Sequence, residues 1–272
     1  VKLAVSSLAW PAADDAAVGE LLRAEGIAGV ELAPSKVWPS APKVADGEAE
    51  ACAARWQSVG CEIVAFQAIL FGRPELNVFG AAAEVAALQH HLIAMGALAA
   101  RCGARVMVLG APGNRRRGDR PMSVAVRLAA DALRPAAEGL APFGVTLCIE
   151  PNPARYGCDF VTSAAEAAVL AETVAHPNFG VHLDTAALAL SGETTTAALA
   201  PVMRHVRHVH LSEVDLAPVG TTSSVPHAEV GAALRAAGWT GWLSVEMKVE
   251  DPGRWREAIV RAADVARRHY LR

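Results

Sequence analysis

The chain has 272 residues, 53% hydrophobic and 19% charged, a balance that supports a large core and excludes a disordered protein. Its net charge of −3 gives no electrostatic footprint for nucleic acid. The five cysteines, Cys52, Cys61, Cys102, Cys148 and Cys158, are odd in number and lack CxxC pairing. They read as reduced thiols of a cytoplasmic protein, not as a disulfide framework or zinc knuckle.

The opening VKLAVSSLAW has no charged segment ahead of a long apolar one, so it reads as a first strand rather than a signal peptide. Strands are expected at 2–8, 29–33, 62–68, 105–110, 145–150, 180–184, 206–212 and 242–248. Helical patterns lie between and after them, at 16–26, 48–60, 82–103, 123–144, 163–176, 194–205, 227–238 and 252–270. Pro135 falls inside the fourth and is expected to kink it. Five of these stretches reach a glycine just before the next strand, at Gly26, Gly60, Gly103, Gly144 and Gly238, as C-terminal capping favours. No window holds the roughly 18 uninterrupted apolar residues of a membrane helix.

Strict alternation of eight strands and helices predicts an all-parallel sheet with helices outside it. The length suits a single-domain (β/α)8 TIM barrel over residues 1–272. An open doubly wound sheet is the alternative, but no GxGxxG follows the first strand and no P-loop is present. The long irregular stretches, 34–46, 69–80, 111–120 and 213–226, all follow strands, which in a barrel places them on the active-site face.

Side chains alternate along a strand, so each strand divides into two sets. In the last four strands one set is aliphatic and suits the interface with the helices. The other contains Thr146, Cys148 and Glu150; His182 and Asp184; His208 and His210; Trp242, Ser244 and Glu246. That polar set must face the barrel interior and ends in Glu150, Asp184, His210 and Glu246. Taken singly, a carboxylate at a strand end is an ordinary salt-bridge partner and a strand histidine is ordinary hydrogen-bonded core. Taken together, three converging carboxylates could not all stay ionised without a cation. One imidazole with three carboxylates suits one divalent ion: Mn2+ first, with Mg2+, Co2+ or Zn2+ as alternatives.

These motifs, CIEPNP, HLDT, HVHLSE and SVEMK, resemble the xylose isomerase-like TIM barrels, the superfamily of sugar phosphate isomerases and epimerases. The resemblance covers essentially the whole chain and is echoed in VELAPSKVW, LGAPGNRRRGD and PNPARYGCDFVTS. It implies that Glu150 and Glu246 act as the acid/base pair, moving a proton through a metal-stabilised cis-enediolate. Two features depart from the ketose 3-epimerase branch. The histidine of its DTxH motif is replaced by Ala187, and the arginine it carries after strand 7 has no counterpart in SEVDLAPVG. Because the extra histidines of the superfamily's apurinic-site endonucleases are also missing, DNA cleavage is not expected. A metal-dependent dehydratase or lyase on a polyol or keto-sugar stays open, as does a non-catalytic sugar-binding barrel.

A small carbohydrate is the expected partner, with no nucleic acid and no membrane; a homo-oligomer is left open. The loop GNRRRGDR makes an anionic sugar an option, because guanidinium binds phosphate or carboxylate bidentately. Arg115 and Arg116 are its candidates. Glu31 and Gln67 end strands 2 and 3, where they could meet sugar hydroxyls or brace one another. Asn152, Tyr156, Glu213, His227 and Lys248 complete the candidate substrate residues. Trp10, Trp38 and Phe71 are candidate pocket walls.

Overall fold

The computed structural model describes residues 1–271. Eight parallel strands close in sequence order into a barrel. They are β1 (Lys2–Ser6), β2 (Gly29–Leu32), β3 (Glu62–Phe66), β4 (Val106–Leu109), β5 (Thr146–Ile149), β6 (Phe179–Asp184), β7 (Val206–Leu211) and β8 (Trp242–Val245). All eight expected strands form. Each ends one to three residues earlier than its expected run, except β6.

The outer helices bury one face each. The helix Met122–Leu140 turns Ala125, Ala129, Ala132, Leu133, Ala136 and Leu140 inward, the spacing of an amphipathic helix packed on a sheet. It runs unbroken across Pro135. The expected helix at 194–205 instead divides into a short helix, Thr196–Leu199, and a 3-10 turn, Met203–His205. Pro201 lies between them; it lacks an N–H and its ring obstructs the carbonyl four residues back. Two short helices escape the sequence pattern: Pro34–Val37, and Thr185–Ser191 directly after β6.

Aliphatic strand residues such as Val181, Leu183, Val209, Leu211, Leu243 and Val245 are fully buried in one continuous core with the helices. The register pairs His182 with His208 and Asp184 with His210 across β6 and β7. This stacks two polar layers inside the barrel, one above the other. No helix among the described residues is long and apolar enough to cross a membrane.

Candidate metal centre

The upper polar layer brings together Glu150, Asp184, His210 and Glu246, one from each of β5 to β8 or the residue just past it. Each offers a ligand atom, and the four atoms lie within 4.8 Å of one another. Local structure fixes each one. Asp184 caps the helix Thr185–Ser191, its Oδ1 accepting the Ala187 N–H at 2.7 Å, while Ser212 Oγ donates to its Oδ2. Gln67 Nε2 donates to Glu246 Oε1 at 2.6 Å, and Glu246 Oε2 lies 3.3 Å from His210 Nδ1. Gly110, at the end of β4, gives Glu150 its room: a Cβ there would collide with Glu150 Oε2.

The electrostatics of this layer concentrate negative charge in a buried space. Burial, reinforced by the Glu246 carboxylate, pushes Glu150 up to about 8. The same two causes raise Asp184 to about 6. Burial would depress His210, but Glu31 and Glu246 outweigh it and hold the imidazole well above its usual value. Carboxylates so placed share protons unless a positive charge joins them. His210 Nδ1 makes no well-formed hydrogen bond; the carboxylate of Glu246, at 3.3 Å, is what faces it. Three carboxylates and one imidazole on this spacing could hold a divalent cation.

Beneath it, Glu31 is fully buried and accepts from His208 Nε2 and His210 Nε2, each at 3.0 Å, on the same oxygen, Oε2. Burial would raise Glu31, but His210 and His208 more than offset it and hold the carboxyl well below its ordinary value. The expectation that Glu31 meets sugar hydroxyls or braces Gln67 therefore does not match its position. Without a bound ion, its two hydrogen bonds fix the His208 and His210 rings against one another.

Two cavities flank the centre. One, of about 520 Å3, is lined by Asn152, Tyr156, Asp184, Ala187, Ser212 and Glu213, among others. The second, of about 430 Å3, includes Gln67, Phe71, Asn114, His210 and Lys248. Glu150, Glu246, Ala111 and Leu216 line both. The cavities thus meet at the two carboxylates.

The arginine loop behaves differently from its sequence pattern. Arg115 is 1% exposed. Its guanidinium donates to the carbonyls of Gly110, Phe160, Val161 and Glu150 and to Asn152 Oδ1. It ties the loop after β4 to the loop after β5. Arg116 is exposed and lines neither cavity. Arg117 and Arg120 bond to the main chain, Arg117 at Asp159, Gly118 and Arg120, Arg120 at Arg117 and Phe79. Lys248 is the one lysine or arginine among the residues lining the two cavities.

Glu213 lines the first cavity, yet its carboxylate is engaged by Gly220 N–H, Thr222 Oγ1, Ser224 Oγ and His227 Nε2. His227 opens the helix His227–Ala236 and bonds Tyr270 through Nδ1. The pair secures the loop after β7 and leaves His227 outside both cavities. Tyr156 accepts the Asp215 N–H, and Arg155 pairs with the Asp215 carboxylate, so the loops after β5 and β7 are joined across the mouth. Of the aromatic candidates, Phe71 is 75% exposed and lines the second cavity. Trp10 and Trp38 are buried away from it. Residue-by-residue reading missed Ser212 and the Ala187 N–H. It placed His182 and His208 inside the barrel without giving them a role.

A model of the xylose isomerase-like TIM barrel matches residues 20–269. The chain belongs to that family. Among solved structures, it is similar to D-psicose 3-epimerase from Clostridium cellulolyticum H10, solved with D-tagatose, at 17% identity and a TM-score of 0.83, with 99% of each chain covered. It is also similar to an L-ribulose 3-epimerase, at 21% identity and TM-score 0.79, over 98% of this chain and 96% of the other. A third is the E. coli 3-keto-D-glucoside 4-epimerase, at 15% identity and TM-score 0.79, over 97% and 99%. At these identities the likeness speaks for the fold. None of the curated proteins matches the chain significantly by sequence.

Proposed function

We propose that this member of the family is a divalent-metal-dependent epimerase or isomerase of a small sugar or keto-sugar. The observation that carries the reading is that Glu150 and Glu246 belong to the cation cluster and at the same time line both cavities. The solved epimerases that share the fold support it.

Glu150, Asp184, His210 and Glu246 would hold the cation, with Mn2+ the first choice for an oxygen-rich set. A bound divalent ion lets neighbouring carboxylates ionise together and polarises a carbonyl beside a hydroxyl. The remaining steps belong to the protein. One of the two glutamates takes the proton from the carbon next to the carbonyl, and the bonding pair moves into an enediolate. The other glutamate returns a proton. Return to the opposite face of the same carbon inverts it; return to the former carbonyl carbon, with the hydroxyl proton passing to the former carbonyl oxygen, moves the carbonyl. Gln67 on Glu246 Oε1, and Arg115 on the Glu150 carbonyl and Asn152, keep these groups in place for that transfer.

Gln67, Asn152, Tyr156, Glu213 and Lys248 line the space a sugar would fill. With Arg115 internally bonded and Arg116 outside the cavities, a neutral sugar, or one with a single anionic group at Lys248, fits better than one anchored by the arginine loop. The test is a screen of ketoses, keto-sugars and sugar phosphates with Mn2+ in D2O, read by NMR. Deuterium should enter at the carbon beside the carbonyl, and Glu150→Gln and Glu246→Gln should each abolish it. Absence of exchange across the screen, with the cation bound, would refute the reading; net loss of water would reassign the reaction to a lyase.

A further inference from the structure

Below the upper layer, the barrel interior holds a second set of metal-ligating atoms. His182, His208 and His210 each offer a ring nitrogen, and the three nitrogens lie within 4.8 Å of one another. All three side chains are buried, His182 completely. Glu31 Oε2 sits 3.0 Å from His208 Nε2 and from His210 Nε2. A four-coordinate ion with bonds of about 2.0–2.1 Å sets its ligand atoms about 3.3 Å apart, so Glu31 and these two imidazoles stand near the spacing of a ligand set.

A second, independent observation concerns His182. Neither of its ring nitrogens has a hydrogen-bond partner, and Glu31 Oε1 lacks one too. A buried imidazole carries one donor and one lone pair, and each costs free energy when left unmatched. Native interiors rarely leave such groups without a partner unless a water or an ion completes them. The neighbourhood is also chemically selective. Imidazole-rich sets favour zinc and its neighbours, whereas carboxylate-rich sets favour magnesium and manganese.

We infer that His182, His208 and Glu31, with His210 shared from the layer above, form a second, deeper cation site for a zinc-class ion. The His210 ring then bridges the two sites, with Nδ1 toward Glu246 and Nε2 toward Glu31. Binding changes no oxidation state: the ion displaces the Nε2 protons by which His208 and His210 bond Glu31, and when both sites are filled His210 also gives up its Nδ1 proton and bridges as an imidazolate, all of these protons leaving to solvent. A three-histidine, one-carboxylate shell is closed, so this ion is structural and braces β2, β6 and β7 beneath the reacting face. The site shares His210 with the upper layer but does not need the proposed reaction.

The test is a Co2+ titration of the chelator-stripped full chain, followed by visible absorption and by elemental analysis after desalting. Two ions per chain are expected, one of them giving the intense band of a four-coordinate, nitrogen-rich centre. His182→Gln and His208→Gln should each lose that band and one ion, while Asp184→Asn should keep the band and lose the other ion. Circular dichroism confirms that each variant is folded, and the wild-type count decides the matter without them. A wild-type count of one, with no intense band, overturns the deep site and leaves the upper one standing. A count of zero overturns both.

Discussion

Ala187 donates its backbone N–H to Asp184 Oδ1 at 2.7 Å, and Asp184 thereby caps the helix that begins at Thr185. Ala187 thus contributes its main chain to the cap and its methyl group to the cavity wall. Asp184→Asn should therefore separate two roles. An amide oxygen still caps the helix, so the metal-free melting temperature should not fall. The cation-dependent rise in melting temperature should shrink sharply, because a charged ligand is gone. Differential scanning calorimetry with and without Mn2+ measures both. An undiminished shift would place the cation elsewhere.

The two adjacent arginines should behave oppositely. Arg115→Ala removes five hydrogen bonds, four of them to main-chain carbonyls. The Val161 and Phe160 carbonyls keep the Asn152 N–H and the Cys158 thiol; the other three acceptors lose this donor, each at about 1–3 kcal/mol, so a total loss of at least about 3 kcal/mol is expected. Arg116→Ala, at an exposed side chain, should stay within about 0.5 kcal/mol of wild type. Urea denaturation gives both values. Equal effects would contradict the bracing role of Arg115.

The barrel and the upper layer were legible in the sequence for one reason: strand alternation separates polar from aliphatic residues without any knowledge of neighbours. That parity put Glu150, Asp184, His210 and Glu246 on one side, and register did the rest. It could not give depth. Glu31 and Gln67 each close an apolar run, yet Glu31 is buried against two histidines while Gln67 lines a cavity. The arginines of GNRRRGDR could not be sorted either. Whether a loop side chain faces a ligand or turns back on its own carbonyls depends on the loop's path, and only the fold sets that path. Glu213 and His227 fall into the same class, paired with each other across fourteen positions of sequence.

The pH dependence of the metal-free protein should weaken or reverse when the cation is added. Glu150 at about 8 and Asp184 at about 6 lie above their ordinary values of 4.5 and 3.8. Between pH 4 and 8 the folded chain thus binds more protons at these groups than the unfolded chain. Stability rises with pH only where the unfolded state binds more protons, so here their contribution falls as pH rises. The raised His210 acts in the same direction, since its stabilisation is lost as pH climbs through its folded value. Cation binding requires the deprotonated ligands and strengthens across the same window. His182, His91 and His227, held below their usual value by burial, oppose this at lower pH but are neutral in both states above about pH 7, so melting temperature from pH 7 to 8 should decline with chelator and decline less, or rise, with saturating Mn2+. Parallel curves would rule out cation binding by these carboxylates.

Gly110 allows the Glu150 carboxylate to be moved without substituting it. A Cβ at this position would occupy the place of Glu150 Oε2. Because the obstructing atom is the end of a side chain, Gly110→Ala should displace the carboxylate and leave the main chain in place. The Gly110 carbonyl would still accept from Arg115 Nε, so the loop after β4 should keep its anchor and the variant should fold. Cation affinity should drop, and any proton exchange at substrate carbon should drop further, because transfer depends on the carboxylate's position to within a fraction of an ångström. Calorimetric Mn2+ titration and deuterium exchange read the two effects separately. If exchange fell no further than occupancy of the cation site, Glu150 would be acting as a ligand alone, and the proton would have to move through Glu246 or another group.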